Sequence, residues 1–198
     1  PWSDLEGPCA TSALWRDAET EVKAHGKHWI VTLRSELAPI ERAGLLTQVT
    51  AAVLAASEGA IGAYWCDATL VVQKPLFVDF AREVLPHELP LHIWIDYRVG
   101  RNPDGSTAAF TYGMQAFGHM ELETVDSPEA PGAVRDRLLA ISRYLLTQGP
   151  VIQDGDTVGG DAKEKIRVVH SDSAFGIEGK VMRLVYESAS PKKPWWKL

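Results

Sequence analysis

Trp65-Cys66-Asp67 and Trp94-Ile95-Asp96 repeat a Trp-x-Asp spacing. Successive side chains on a strand alternate between faces, so each pattern places an indole and a carboxylate on one side. If the two segments are neighbouring strands, Trp65, Asp67, Trp94 and Asp96, joined by His92 and Arg98, line one patch. Two carboxylates whose surroundings push their pKa values apart can divide acid–base work between them. These six residues are the candidate binding set. The plainer reading, which we prefer, gives them structural jobs: the Trp residues pack under a helix, and the Asp residues end strands or pair with Arg98.

Other reactive patterns are weaker. Asp154-Gly155-Asp156-Thr157-Val158-Gly159-Gly160-Asp161 has Asp at positions 1 and 3 and Gly at position 6 of a calcium-loop template. Val158 and Lys165 stand where two oxygen ligands belong, so the expectation is a tight glycine turn whose Asp side chains accept local backbone N–H groups. Six histidines show no His-Glu-x-x-His spacing, and His25 and His28 are separated by Gly26, so no metal site and no cofactor is expected. Cys66 reads as a buried, inert mid-strand thiol, and Cys9 lies in a loop with no acid or base nearby. No Gly-x-Ser-x-Gly elbow and no P-loop occurs.

The elements that must hold these residues begin at Gly59. Ala60 to Val72 is rich in Tyr, Trp, Thr and Val and reads as a strand. Phe77, Phe80, Ala81 and Val84 give one apolar face to a helix over 75–85. Leu91 to Val99 alternates with period two and reads as a second strand. Upstream, residues 1–8 read as a loop. Thr11 or Ser12 caps a helix to Ala24 carrying Trp15, Ala18 and Val22 on one face. His28 to Arg34 reads as a strand, and Pro39 opens an alanine-rich helix to Ser57. Downstream, Asn102-Pro103-Asp104-Gly105 is a turn between two hairpin strands. Met120–Val125 is a short strand, and a helix spans Pro131 to Gln148 with Val134, Leu138, Ile141 and Leu145 as its stripe. Strands follow at 166–170 and 181–187. This order implies an α+β fold: a mixed, largely antiparallel sheet with helices mostly on one face, in a single domain over 1–198.

Composition narrows the partners. A 198-residue chain with net charge −6 lacks the clustered Lys and Arg of a nucleic-acid footprint. No apolar run is long enough to span a bilayer. Two cysteines make no disulfide framework; one bridge is possible, and free thiols in a reducing compartment are the preferred reading. Of seven tryptophans, Trp195 and Trp196 lie in a polar tail, as anchors for a protein partner or a homodimer.

The segment from Pro1 to Ala10, Trp15 and Ala18, and His25-x-x-His28 leading into Val31-Thr32-Leu33 resemble a bacterial family, domain-of-unknown-function family 4261. So do Gly62-x-Tyr64-Trp65, Leu91-x-Ile93-Trp94-Ile95-Asp96, Gly113-x-x-x-Phe117-Gly118 and Asp154 to Gly159. The resemblance implies a cytoplasmic bacterial protein, and that a strand and a helix precede Pro1. It implies no activity. The expected function is a non-catalytic protein-binding or accessory module. The alternative is a small-molecule hydrolase using Asp67, Asp96, Arg98 and a histidine.

Overall fold

A computed structural model describes residues 2–159 and 166–186. The fold is α+β. The chain divides into two compact units: residues 2–97 with 111–119, and residues 98–110 with 120 onward.

The first unit begins with helix α1 (Trp2–Ala10), where a loop was expected. Trp2, Leu5 and Cys9 recur at helical spacing and pack on Trp15, Ala18, Val22 and Val71. That burial outweighs the cost of Gly7 and of Pro8 inside the helix. The Trp15–Ala18–Val22 face is buried as expected, but its helix α2 is only Ala18–Lys23. Ser12 does not cap it; its hydroxyl donates to the Val71 carbonyl at 3.1 Å.

Helix α3 (Pro39–Ala56) starts at its proline, as the sequence indicates. The expected single strand over 60–72 is a hairpin, β1 (Gly62–Trp65) against β2 (Leu70–Gln73). A 3₁₀ turn at Cys66–Ala68 folds it back, with Thr69 in the left-handed region at φ 49°. Gly62 is required here: a Cβ on it would stand 2.4 Å from the Trp15 ring and 2.4 Å from the Val72 carbonyl oxygen. Helix α4 (Lys74–Asp79) continues into a π-helical turn over Phe80–Val84, burying Phe77 and Ala81.

The larger correction concerns 91–99. Leu91–Trp94 is a helical turn, α5, and strand β3 starts only at Asp96 (Asp96–Arg101). Leu91, Ile93, Trp94, Ile95 and Asp96 are all buried, so the period-two pattern does not mark a two-faced strand. The Trp94 indole N–H donates to Thr47 Oγ1 at 2.8 Å, and Thr47 donates to the Ala43 carbonyl at 2.8 Å, which anchors α5 on α3. Gly113 (φ 118°) closes this core, since a Cβ there would meet the Trp94 carbonyl oxygen at 2.5 Å.

The second unit is built on a six-stranded sheet in the order β3, β4 (Thr107–Tyr112), β5 (Leu122–Ser127), β8 (Lys180–Tyr186), β7 (Ile166–Asp172), β6 (Thr157–Val158). It is mixed: β5 and β8 are parallel, whereas β4–β5, β6–β7 and β7–β8 are antiparallel. Helix α6 (Pro131–Gln148) has the expected bounds and buries Val134, Leu138, Ile141 and Leu145. No helix among the described residues is long and apolar enough to cross a membrane.

Candidate binding surface

The six residues of the Trp-x-Asp set have unlike environments. Trp65 is buried, its ring centroid 6.2 Å from that of Phe77. Trp94 is fully buried, with its ring 5.5 Å from Phe117. His92 is half-buried between Phe80 at 6.0 Å and Tyr97 at 6.2 Å. Asp67 is exposed in the 3₁₀ turn, whereas Asp96 is buried. Arg98 belongs to the second unit, its guanidinium 5.9 Å from the Phe110 ring centroid. Both indoles are therefore committed to core packing. The two Trp-bearing segments are a hairpin strand and a helical turn, not neighbouring rows of one sheet.

The cysteines also change places. Cys66 is exposed and Cys9 is buried in α1; both are free. Partial burial, followed by the charge of Asp67, pushes the Cys66 thiol up. Burial, followed by Glu19, does the same for Cys9. Neither is an activated nucleophile. Among the described residues, no group of three or more His, Cys, Asp or Glu stands together as metal ligands would.

The charged groups of the second unit hold the fold. Glu123 is fully buried and accepts from Arg183 Nε at 2.7 Å, Ser173 Oγ at 2.7 Å and the Ala174 N–H at 3.2 Å. It thereby ties the turn after β7 to the sheet, and Phe175 in that turn stacks on Phe110 at 4.6 Å. Glu129 takes a two-pronged ion pair from Arg137 at 2.5 and 3.0 Å and the Tyr186 hydroxyl at 2.7 Å. Burial, outweighing a hydrogen bond with Ser127 and joined by the Glu129 carboxylate, pushes the Tyr186 hydroxyl up to about 12. The Asp-Gly turn is structural, as its composition indicates: Asp154 accepts the His170 N–H and Asp156 the Gln153 N–H, each at 2.8 Å. An open groove of about 590 Å³ beside α6 includes Arg137, Tyr144, Val151 and Asp156, but its charged members are engaged in these contacts.

Residues 110–185 match the model of the DUF4261 family, a domain of unknown function. The DUF4261 match runs from the end of β4 to β8 and includes α6 and the Asp154–Gly159 turn. The resembling motifs upstream of Phe110 lie outside the matched span. No curated protein and no solved structure matches the chain.

A different surface stands out in the first unit. Residues 26–37 (Gly-Lys-His-Trp-Ile-Val-Thr-Leu-Arg-Ser-Glu-Leu) were expected to hold a strand at 28–34; the structure assigns none there, because no strand among the described residues lies alongside to pair with it. Among the described residues, no backbone-to-backbone hydrogen bond reaches any of them. Trp29 is 72% exposed and Ile30 80%. Val31, Leu33 and Ser35 alternate as half-buried with exposed Thr32 and Arg34. The chain then enters α3, whose outward side carries Leu45 at 38% and Val49 at 41%, one turn apart. The sequence signal for a strand is plain, but the structure assigns none there. Trp195 and Trp196, the anchors expected from the tail, lie outside the described residues.

Proposed function

We propose that the protein is a non-catalytic protein-binding module that docks through the first unit, using residues 26–37 and the outward side of α3. The observation that carries this reading is the exposure of Trp29 and Ile30 on a segment that makes no backbone-to-backbone hydrogen bond among the described residues. Isolated apolar side chains on a surface are ordinary, but adjacent exposed Trp29 and Ile30 together with the outward Leu45 and Val49 of α3 in one unit are the kind of apolar surface proteins normally cover. The charged clusters of the second unit support the non-catalytic part, because their lone pairs and protons are used in holding turns and helix α6. The hydrolase alternative, through Asp67, Asp96, Arg98 and a histidine, draws no such support: Trp65 and Trp94 face the core, and Asp67 and Asp96 differ in burial. Two free cysteines suit a reducing, cytoplasmic setting.

The test compares immobilised wild-type chain with a Trp29→Ser/Ile30→Ser variant for protein capture and for self-association. Both substitutions lie on the surface, so melting temperature is expected to hold while binding falls. Equal binding by the two forms removes the reading.

A further inference from the structure

We propose that the open groove beside α6 seats the chain's own residues 187–198, with the Trp195-Trp196 pair as its occupant. The groove lies in the second unit, so this contact is independent of the docking surface of the first.

Apolar exposure in the second unit gathers at this groove. Among its described residues the exposed large apolar side chains are Tyr144 at 50% and Val151 at 47%, and both line the groove. Ile141 and Ile152 line it as well, and a second hollow of about 410 Å³ adjoins it across Ala140 and Tyr144. A covered Trp buries about 150–250 Å², so a pair is an occupant suited to such walls, and Arg137 offers a guanidinium to an indole face. The place where the sheet ends selects the occupant. Tyr186, at the end of β8, stands opposite Ile166 of β7, and Ile166 stands opposite Val158 of β6, which lines the groove. Neighbouring strands lie about 4.8 Å apart, so the chain leaves β8 about 10 Å from that wall. The Tyr186 hydroxyl donates to Glu129, which holds Arg137 of the helix wall at 3.0 Å. Trp195 is nine residues further on, and nine residues span up to about 30 Å. That exceeds the length of α6, about 27 Å, so every part of the groove is within reach. A segment tethered at this distance acts at an effective concentration in the millimolar range, so it fills the groove ahead of a free partner of equal intrinsic affinity. The Trp195-Trp196 pair thereby finds its seat within its own chain.

The test uses the full chain. In Trp195→Ser/Trp196→Ser the groove loses its occupant, and a labelled peptide of residues 187–198 is expected to bind that variant with a dissociation constant below about 1 mM. The wild type is expected to bind the peptide ~10-fold more weakly or less, because its own segment competes. Ala140 is exposed and lies between the two hollows. Adding Ala140→Arg to the double variant is expected to keep the melting temperature and to weaken the peptide by ~10-fold or more. Tyr144→Ala, which trims the wall without adding bulk, is expected to weaken it in the same direction. Sedimentation of the wild type and of Trp195→Ser/Trp196→Ser is expected to agree. A dimer present only in the wild type hands the segment to a neighbouring copy and overturns the proposal. So does a peptide that binds neither form, that binds both equally, or that binds as well after Ala140→Arg and Tyr144→Ala.

Discussion

Helices α3 and α6 are each 18 residues long, and each opens with proline at its first position. They are built in opposite senses. In α6 the large side chains Val134, Leu138, Ile141 and Leu145 face inward, while Arg135 and Asp136 face water. In α3 the inward positions are Ala43, Thr47, Ala51 and Leu54, mostly small, and Leu45 and Val49 point outward. Glu41 and Arg42, both in its first turn, are the only charged residues of α3. A helix that is apolar all round is ordinarily covered on both sides. The units follow their helices: the second ties its buried Glu123 and its Glu129 to turns, to Tyr186 and to α6, and the first leaves an apolar helix side open.

The comparison breaks most directly at Glu123. Glu123→Ala takes the carboxylate from Arg183, leaving its bond to the Asp172 carbonyl, and frees the turn at Ser173–Phe175; removing one partner of a buried pair costs about 3–5 kcal/mol. Urea unfolding should show that loss; a cost near zero would mean that the second unit does not rest on its buried charges. Leu138→Ala comes next. Leu138 is fully buried, so truncation should cost roughly 2–5 kcal/mol in the same assay.

Tyr186 supplies the pH test. Its folded pKa, about 12, lies above the ordinary value of 10. Between those values the folded chain keeps a proton that the unfolded chain releases. The stabilisation is therefore complete below pH 10 and lost as pH rises towards 12, and solvent screening of a half-buried group keeps it below the full value of that shift. Tyr186→Phe should flatten that slope in melting curves recorded from pH 9 to 12. A slope unchanged by the substitution removes the buried Tyr186 hydroxyl as its source.

The two helices also show what the sequence could tell. The bounds of α6 follow from Pro131, the periodic stripe and Gly149-Pro150, because one face is apolar and the other is not. The start of α3 follows from Pro39, but its inward face does not, since apolar residues surround it and the small ones pack inside. Leu91 to Val99 misleads for a related reason: alternation implies a strand with one dry face, whereas Leu91 to Asp96 is buried throughout, and α5 is held by a hydrogen bond from Trp94 to Thr47, distant in sequence. The turn at Asp154–Gly159 was legible because its Asp contacts are set by local chemistry and by strand β7 beside it. The six-residue site was not, because its premise, two adjacent strands, depended on register between distant segments. The strand expected at 28–34 does not form, since a strand needs a partner and pairing is a property of the whole sheet.

The smallest effect is the one that decides how α3 is used. Leu45→Ala and Val49→Ala remove side chains that are partly exposed, and surface truncations of this kind usually stay within about 0.5 kcal/mol. In dilute protein, each should therefore cost far less than Leu138→Ala. If the outward side of α3 belongs to the docking surface, the same truncations must weaken partner capture, because they remove contacts made only in the complex. Unchanged capture would confine the docking surface to residues 26–37. A cost as large as that of Leu138→Ala in the dilute monomer would mean that the outward side of α3 is already packed within the chain, and the contrast between the two helices would disappear.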